Sequence, residues 1–211
     1  MIGARLVIVT IIAYLIGSIP FGLIISKLKA GVDVREYGSG KTGATNVMRI
    51  AGTKLGILTM ILDAAKAAGA VMLAEVIVGD SFLTMGSVSF QQIAQVTAGL
   101  AAVAGHNWPV FAKFKGGRGV TAYFGTLIAI YPPVAIFGIE VLTISALRSK
   151  RMSQSSMLAV LAVWCLMVPL TLINGFPRIY LAYGLVGIAL IVYQHRDNVK
   201  RLRQGTERQL W

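Results

Sequence analysis

The chain alternates long apolar stretches with short gaps rich in glycine and cations. A helix crossing a bilayer core needs about 20 apolar residues. Residues 4–27, 55–79, 92–112, 154–173 and 177–194 meet that length. The stretch 120–147 has 28 residues, too long for one straight span and short for two. Pro132-Pro133 divides it near the middle. Each proline removes a backbone donor and disfavours helix just before it. Charge decides between the alternatives. Seventeen of the 20 Lys and Arg residues fall in the gaps 27–54, 113–118, 148–151 and 196–208. Cytoplasmic loops collect such residues, while the connections 80–91 and 174–177 are poor in charge. All four basic gaps share one side only if 120–147 enters and returns. The pattern therefore predicts about seven helical segments, two of them short (120–131 and 133–147). The N-terminus is expected outside and the C-terminus in the cytoplasm. A single long tilted helix over 120–147 is the alternative, at the expense of the charge rule. No internal repeat is evident, so one domain over 1–211 is expected.

Composition agrees with an all-α polytopic membrane helix bundle. The sequence is 56% apolar and 13% charged, with mean hydropathy +0.73. Soluble domains are nearer half apolar and a quarter charged. The net charge of +12 raises nucleic acid as a partner. The aromatics, however, sit in apolar runs and no separate basic domain exists, so no nucleic acid is expected. The charge suits orientation in the bilayer and attraction of anions. No A-x-A-like site follows the first apolar run, which reads as a retained span.

Two glycine-rich stretches carry the candidate chemistry. The first runs Gly38-Ser39-Gly40-Lys41-Thr42-Gly43-Ala44-Thr45-Asn46-Val47-Met48-Arg49. The second is Lys113-Phe114-Lys115-Gly116-Gly117-Arg118-Gly119. Glycine lets amides approach a ligand and adopt positive φ, successive amides form anion nests, and Arg or Lys suits phosphate. Ser39, Thr45 and Asn46 add polar groups at an expected helix start, where the partial charge is positive. Lys41-Thr42 ends like a phosphate-binding P-loop, but the glycine that motif needs five residues before Gly40 is Arg35 and no strand is evident beside it, which argues against that motif. The bland readings are a capped surface turn for the first stretch and a basic helix stop for the second. In the tail, His195 and Asn198 share a helical face at i, i+3, against the bland reading of a solvated basic tail. Asp63 and Lys66 stand at i, i+3 inside an expected span, where charges are usually paired. Fixing helix packing and contacting substrate are both open to them. Two His and one Cys, widely separated, offer no metal site.

Taken in order, these segments resemble PlsY, the bacterial membrane glycerol-3-phosphate acyltransferases that use acyl phosphate. The matching residues are Gly17-Ser18-Ile19-Pro20-Phe21-Gly22, the Gly38–Arg49 loop, Gly105-His106, Pro109-Val110-Phe111, Lys113–Val120, and His195, Arg196, Asn198, Arg201-Leu202 and Gly205-Thr206-Glu207. Lys41 stands where the family's loop often has Asn. The resemblance implies transfer of a fatty acyl group from acyl phosphate to the 1-hydroxyl of glycerol 3-phosphate. Lysophosphatidic acid and phosphate would be the products, and no cofactor is implied. The site would face the cytoplasm from the bacterial inner membrane. Ser39, Arg49, Lys115, His195 and Asn198 are then the expected catalytic set. Gly38, Gly40, Gly43, Thr45, Asn46, Gly116, Gly117, Arg118 and Gly119 are the expected substrate-binding set.

The residues also constrain mechanism. Position five after His106 is Phe111, and five after His195 is Lys200, so the spaced His–Asp pair of another acyltransferase class is absent. No Ser–His–Asp or Cys–His arrangement is evident, so a covalent acyl-enzyme is not expected. The protein's task would be to bring two phosphate anions together and orient a hydroxyl. Two rivals stand beside the enzyme. An anion transporter would pair broken helices from two repeats at the midplane. A lipid-binding scaffold would need basic loops but not His195-x-x-Asn198.

Overall fold

Apolar runs become helices because a bilayer offers backbone groups no partner of its own. The computed structural model describes residues 2–79, 84–85 and 87–210. The described residues form helices α1 (Ile2–Gly17), α2 (Phe21–Ala30), α3 (Ala44–Ala51) and α4 (Thr53–Val78). A short antiparallel pair follows, β1 (Thr84–Met85) and β2 (Val88–Ser89). Next come α5 (Phe90–Asn107), α6 (Val120–Ile130), α7 (Pro132–Ser149), α8 (Met152–Asn174), α9 (Arg178–Gln194) and α10 (Arg196–Arg203). The connection expected at 80–91 lies partly outside the described residues.

Gly3–Ala30, Thr53–Val78, Pro132–Ser149 and Met152–Asn174 are long and apolar enough to cross a membrane. Val120–Ile130 and Arg178–Gln194 are shorter apolar helices. The break expected inside 120–147 is present, one residue earlier than expected. Tyr131 is extended and Pro132 opens α7, where its missing N–H costs nothing. The apolar run expected at 92–112 is α-helical only to Asn107, because Pro109 disfavours helix at Trp108.

Small residues set the closest helix crossings, as expected where apolar burial between helices contributes little. A Cβ on Gly105 would lie 2.3 Å from Tyr14 O, and one on Gly17 2.2 Å from Ala102 O. These two glycines lock α1 against α5. A Cβ on Gly125 would lie 2.3 Å from Ala64 O, which does the same for α6 on α4. α4 thus packs on α1, α5 and α6, while α8 packs between α7 and α9.

The expected pair in α4 is formed. Asp63 Oδ1 lies 2.7 Å from Lys66 Nζ, and both side chains are buried. Lys66 Nζ also donates to Ile19 O at 2.6 Å, in the break between α1 and α2. The pair therefore ties α4 to a carbonyl that the interrupted helix leaves without a helical partner. His106 Nδ1 stands 3.5 Å from the same Asp63 oxygen, which extends the cluster to the end of α5.

Candidate active site

The first glycine loop is organised by a side chain of the helix it precedes. Asn46, buried in the first turn of α3, donates through Nδ2 to Val34 O (2.9 Å), Tyr37 O (3.1 Å) and Lys41 O (2.9 Å). Its Oδ1 accepts from Ser39 N at 3.0 Å. Asn46 satisfies backbone groups that a tight loop cannot pair with itself. Gly38 has φ +57, and a Cβ there would meet Asn46 Oδ1 at 2.2 Å. The glycine is thus required twice over, by backbone angle and by space. At the loop's start Asp33 grips Arg35 at 2.7 Å. The hydrogen bond from Arg35 is the main reason the Asp33 carboxyl sits well below its ordinary range. Arg35 Nη1 reaches on to Ala112 O at 3.1 Å, which joins the first loop to the second.

The second loop docks on the end of α5. Gly117 N donates to His106 O at 3.0 Å. A Cβ on Gly117 would sit 2.0 Å from His106 Nε2, and one on Gly116 2.2 Å from His106 O. Neither glycine has a positive φ; both are needed for close approach alone. Gly119 does have φ +85, where it opens α6. Lys113 and Phe114 adopt left-handed backbone angles, φ +54 and +59, so the turn before Lys115 is strained at two non-glycine residues.

The tail folds back to close the site. Glu207 accepts from Ser153 Oγ (2.7 Å), Asn198 Nδ2 (2.6 Å) and Arg201 Nε (2.8 Å). These contacts clip residues 204–210 onto α8 and α10, and they hold the Glu207 carboxyl below its ordinary pKa against the opposing effect of its own burial. Leu210 N donates to Lys150 O at 2.8 Å, and Arg49 Nη2 donates to Gln209 O at 3.1 Å.

One cavity of about 130 Å³ lies where these parts meet. Ser39, Gly43, Thr45, Asn46, Arg49, Arg118, Gly119, His195 and Asn198 line it, from three separate regions of sequence. Gly38, Gly40, Gly116 and Gly117 are not among its lining residues. Lys115 is exposed and outside the wall. The remaining polar lining is Lys41, His106, Thr121, Ser153, Ser156, Arg201, Glu207 and Arg208. Lys41, His106, Arg201 and Glu207 stood in the matching motifs without an assigned role, and Thr121, Ser153, Ser156 and Arg208 were not singled out from the sequence. Glu207 carried a signal, as an acid in a basic tail; Ser153 and Ser156 carried only their i, i+3 spacing. Met48, Met60, Val120, Leu142 and Met152 make the cavity's apolar side.

Charge in the cavity is one-sided. Lys41, Arg49, Arg118, Arg201 and Arg208 face a single carboxylate, Glu207, which already accepts three hydrogen bonds. Burial, then the charge of Arg201, brings Arg118 down to about 10. Burial followed by a neighbouring guanidinium lowers Lys41 and Arg49 too, through Arg118 and Arg208 respectively. Arg118 Nε is buried without a hydrogen-bond partner among the described residues. Crowded, partly desolvated cations favour an anion among them.

His195 and Asn198 present the opposite chemistry. His195 is 2% exposed. Its Nδ1 stands 2.8 Å from Ile191 O. A carbonyl only accepts, so the neutral ring carries its proton on Nδ1 and keeps a lone pair on Nε2. Burial brings the imidazole down to about 4, with the charge of Arg118 adding to it and the Ile191 carbonyl opposing it. Asn198 gives its amide to Glu207, which leaves Oδ1 buried without a partner among the described residues. The cavity wall thus combines cations suited to phosphate with two acceptors suited to a hydroxyl.

Fold and cavity together define an integral-membrane helix bundle with a cation-lined cavity. Residues 7–205 match the family model described as glycerol-3-phosphate acyltransferase, and the chain belongs to that family. It is 50% identical over 211 residues to glycerol-3-phosphate acyltransferase 3 of Dehalococcoides mccartyi, covering 100% of this chain and 98% of that one. Against glycerol-3-phosphate acyltransferase of Aquifex aeolicus it is 39% identical over 197 residues, with 93% and 95% covered. Among solved structures it is similar to PlsY, an integral membrane glycerol 3-phosphate acyltransferase, in its glycerol 3-phosphate form. The TM-score there is 0.83 with 38% identity, covering 97% of this chain and 94% of that chain. The lysophosphatidic acid form gives 0.80 at the same identity and coverage.

Proposed function

We propose that this chain transfers a fatty acyl group from acyl phosphate to the 1-hydroxyl of glycerol 3-phosphate at the bacterial inner membrane, with its site facing the cytoplasm. The observation that carries the reading is the cavity's division of labour: five cations for phosphate groups and two acceptors, His195 and Asn198, for a hydroxyl. Membership of the glycerol-3-phosphate acyltransferase family supports the acceptor substrate. The four basic gaps support the orientation.

Arg49, Arg118 and Lys41 neutralise the repulsion between the two phosphates as they approach. His195 Nε2 and Asn198 Oδ1 accept from the glycerol hydroxyls and aim one of them at the acyl carbonyl. The hydroxyl oxygen bonds to the carbonyl carbon as the carbon–oxygen bond to phosphate breaks. An imidazole near 4 is a weak base. A phosphate oxygen, with its second pKa near 6, is the better destination for the hydroxyl proton. His195 therefore orients the nucleophile rather than removing its proton. The acyl tail lies on the side of Met60, Leu142 and Met152. Ser39 and Thr45 hold the acyl-phosphate head. Lys115 reaches a bound phosphate only if its side chain swings inward.

The deciding experiment incubates purified protein with acyl phosphate and labelled glycerol 3-phosphate, with acyl-CoA in parallel. Labelled lysophosphatidic acid should form from acyl phosphate alone. Comparable rates from acyl-CoA would reject the donor assignment, and no product from either donor would reject the reaction.

A further inference from the structure

A second group of cations stands outside the cavity, on the other side of α10. A shallow groove is lined by Val192, Tyr193, Arg196, Val199, Lys200 and Arg203. Positions 196, 200 and 203 share one helical face, whereas Asn198 and Arg201 reach the cavity. Among the described residues none of the three groove cations forms a salt bridge. One of them is already set in place. Arg196 Nη1 donates to Tyr193 O at 3.1 Å, and its guanidinium carbon lies 4.7 Å from the Tyr193 ring centroid.

The groove continues onto an apolar surface. Val192 is 43% and Tyr193 56% exposed, on the last turn of the apolar helix α9. Tyrosine at such a helix end marks the level of lipid headgroups. An apolar strip therefore runs along α9 into three cations at headgroup depth. That order matches one lipid molecule, with chains against Val192 and a negatively charged headgroup between Arg196, Lys200 and Arg203. A zwitterionic headgroup would bring its own cation to the same place and gain less.

We propose that this groove binds the headgroup of an anionic phospholipid of the surrounding bilayer. The site is separate from the cavity and does not depend on the reaction proposed above. Its occupant would sit behind the helix that carries Asn198 to the cavity.

Native mass spectrometry of the full chain in detergent tests this, with phosphatidylglycerol and phosphatidylcholine of equal chain length added in equal amounts. The unaltered protein should retain phosphatidylglycerol in preference. Each cation near a headgroup is worth about five-fold. The variant Arg196→Gln/Lys200→Gln/Arg203→Gln should therefore lose that preference by roughly ten-fold or more. Its acyltransferase rate in phosphatidylcholine nanodiscs should stay within about two-fold, since none of the three lines the cavity. Lys29→Gln/Lys54→Gln, which removes exposed cations elsewhere, should keep the preference. Should the triple variant fold poorly, Lys200→Gln/Arg203→Gln leaves the Arg196–Tyr193 contact intact and should still lose about five-fold or more. Equal retention of both lipids by the unaltered protein would overturn the proposal, as would equal losses in the groove and control variants. Displacement of phosphatidylglycerol by millimolar inorganic phosphate at constant ionic strength would make the groove a free-phosphate site instead.

Discussion

The two glycine loops look alike in sequence and are built on different principles. The loop at 38–46 closes on its own helix, through the four hydrogen bonds of Asn46. The loop at 113–119 has no such internal organiser. It leans on α5, through the His106 carbonyl and a close approach to His106 Nε2. His106 leans in turn on Asp63 in α4, which Lys66 also contacts. Glycine serves both loops, but for different reasons: a left-handed turn at Gly38, bare closeness at Gly116 and Gly117. A local loop of this kind should fail as a unit when its organiser is removed. A docked loop should fail in proportion to how well its neighbour can yield.

Asn46→Ala should have the largest effect. It leaves three carbonyls and one amide to find new partners, at about 1–3 kcal/mol for each group left unsatisfied. Acyl transfer should fall by more than about 100-fold, with a lower thermal midpoint. Near-normal activity would show that the loop does not depend on this side chain.

Gly117→Ala comes next and tests the docked loop. The new Cβ meets the His106 ring, so KM for glycerol 3-phosphate should rise by roughly 10-fold with a smaller change in kcat. Removing the obstacle sharpens the comparison. In a double-mutant cycle with His106→Ala the two changes should be strongly non-additive, the pair being less harmful than their sum. For Gly38→Ala paired with Asn46→Ala no such rescue should appear, because the backbone at φ +57 remains strained. Additive behaviour at Gly117 and His106 would separate the two groups functionally.

Arg49 distinguishes a point charge from a fork. Arg49→Ala should cost about 1.5–3 kcal/mol, or roughly 10- to 150-fold in kcat/KM. Arg49→Lys should recover only part, since an ammonium cannot contact phosphate in a planar, bidentate way. Full recovery by lysine would reduce its role to charge.

The smallest expected effect concerns His195. His195→Gln should lower kcat by about 10-fold and leave the shape of the pH–rate profile between about pH 5.5 and 8 unchanged. A lost inflection would show the histidine to be a base after all. Stability gives a second check. His195 titrates near 4 when folded and near 6.5 when unfolded. Between those values the unfolded chain holds the proton and the folded chain does not. Stability is therefore lost as pH falls from about 6.5 toward 4, and His195→Gln should remove that part of the slope.

Much of this was legible in the sequence, for a local reason. Apolar run length marks helices, Pro132 can only open one, and glycine with cations between runs marks the turns that line the cavity. The Asp63–Lys66 pair follows from spacing and from the cost of lone charges in a membrane. Other features depend on residues far apart in the chain meeting in space. Position 46 was legible as a polar group at a helix start, but not as the anchor of its own loop. Gly116 and Gly117 were legible as amides free to approach something, and packing made that something His106. The tautomer of His195 is decided by the Ile191 carbonyl, and the free oxygen of Asn198 by Glu207 folding back from the tail. Lys115 shares its motif with Arg118, yet only Arg118 enters the wall, because a strained turn directs neighbours to different sides. Sequence determines which groups are present and which segments cross; tertiary contact decides which atoms remain free to do chemistry, because each hydrogen bond made elsewhere removes one.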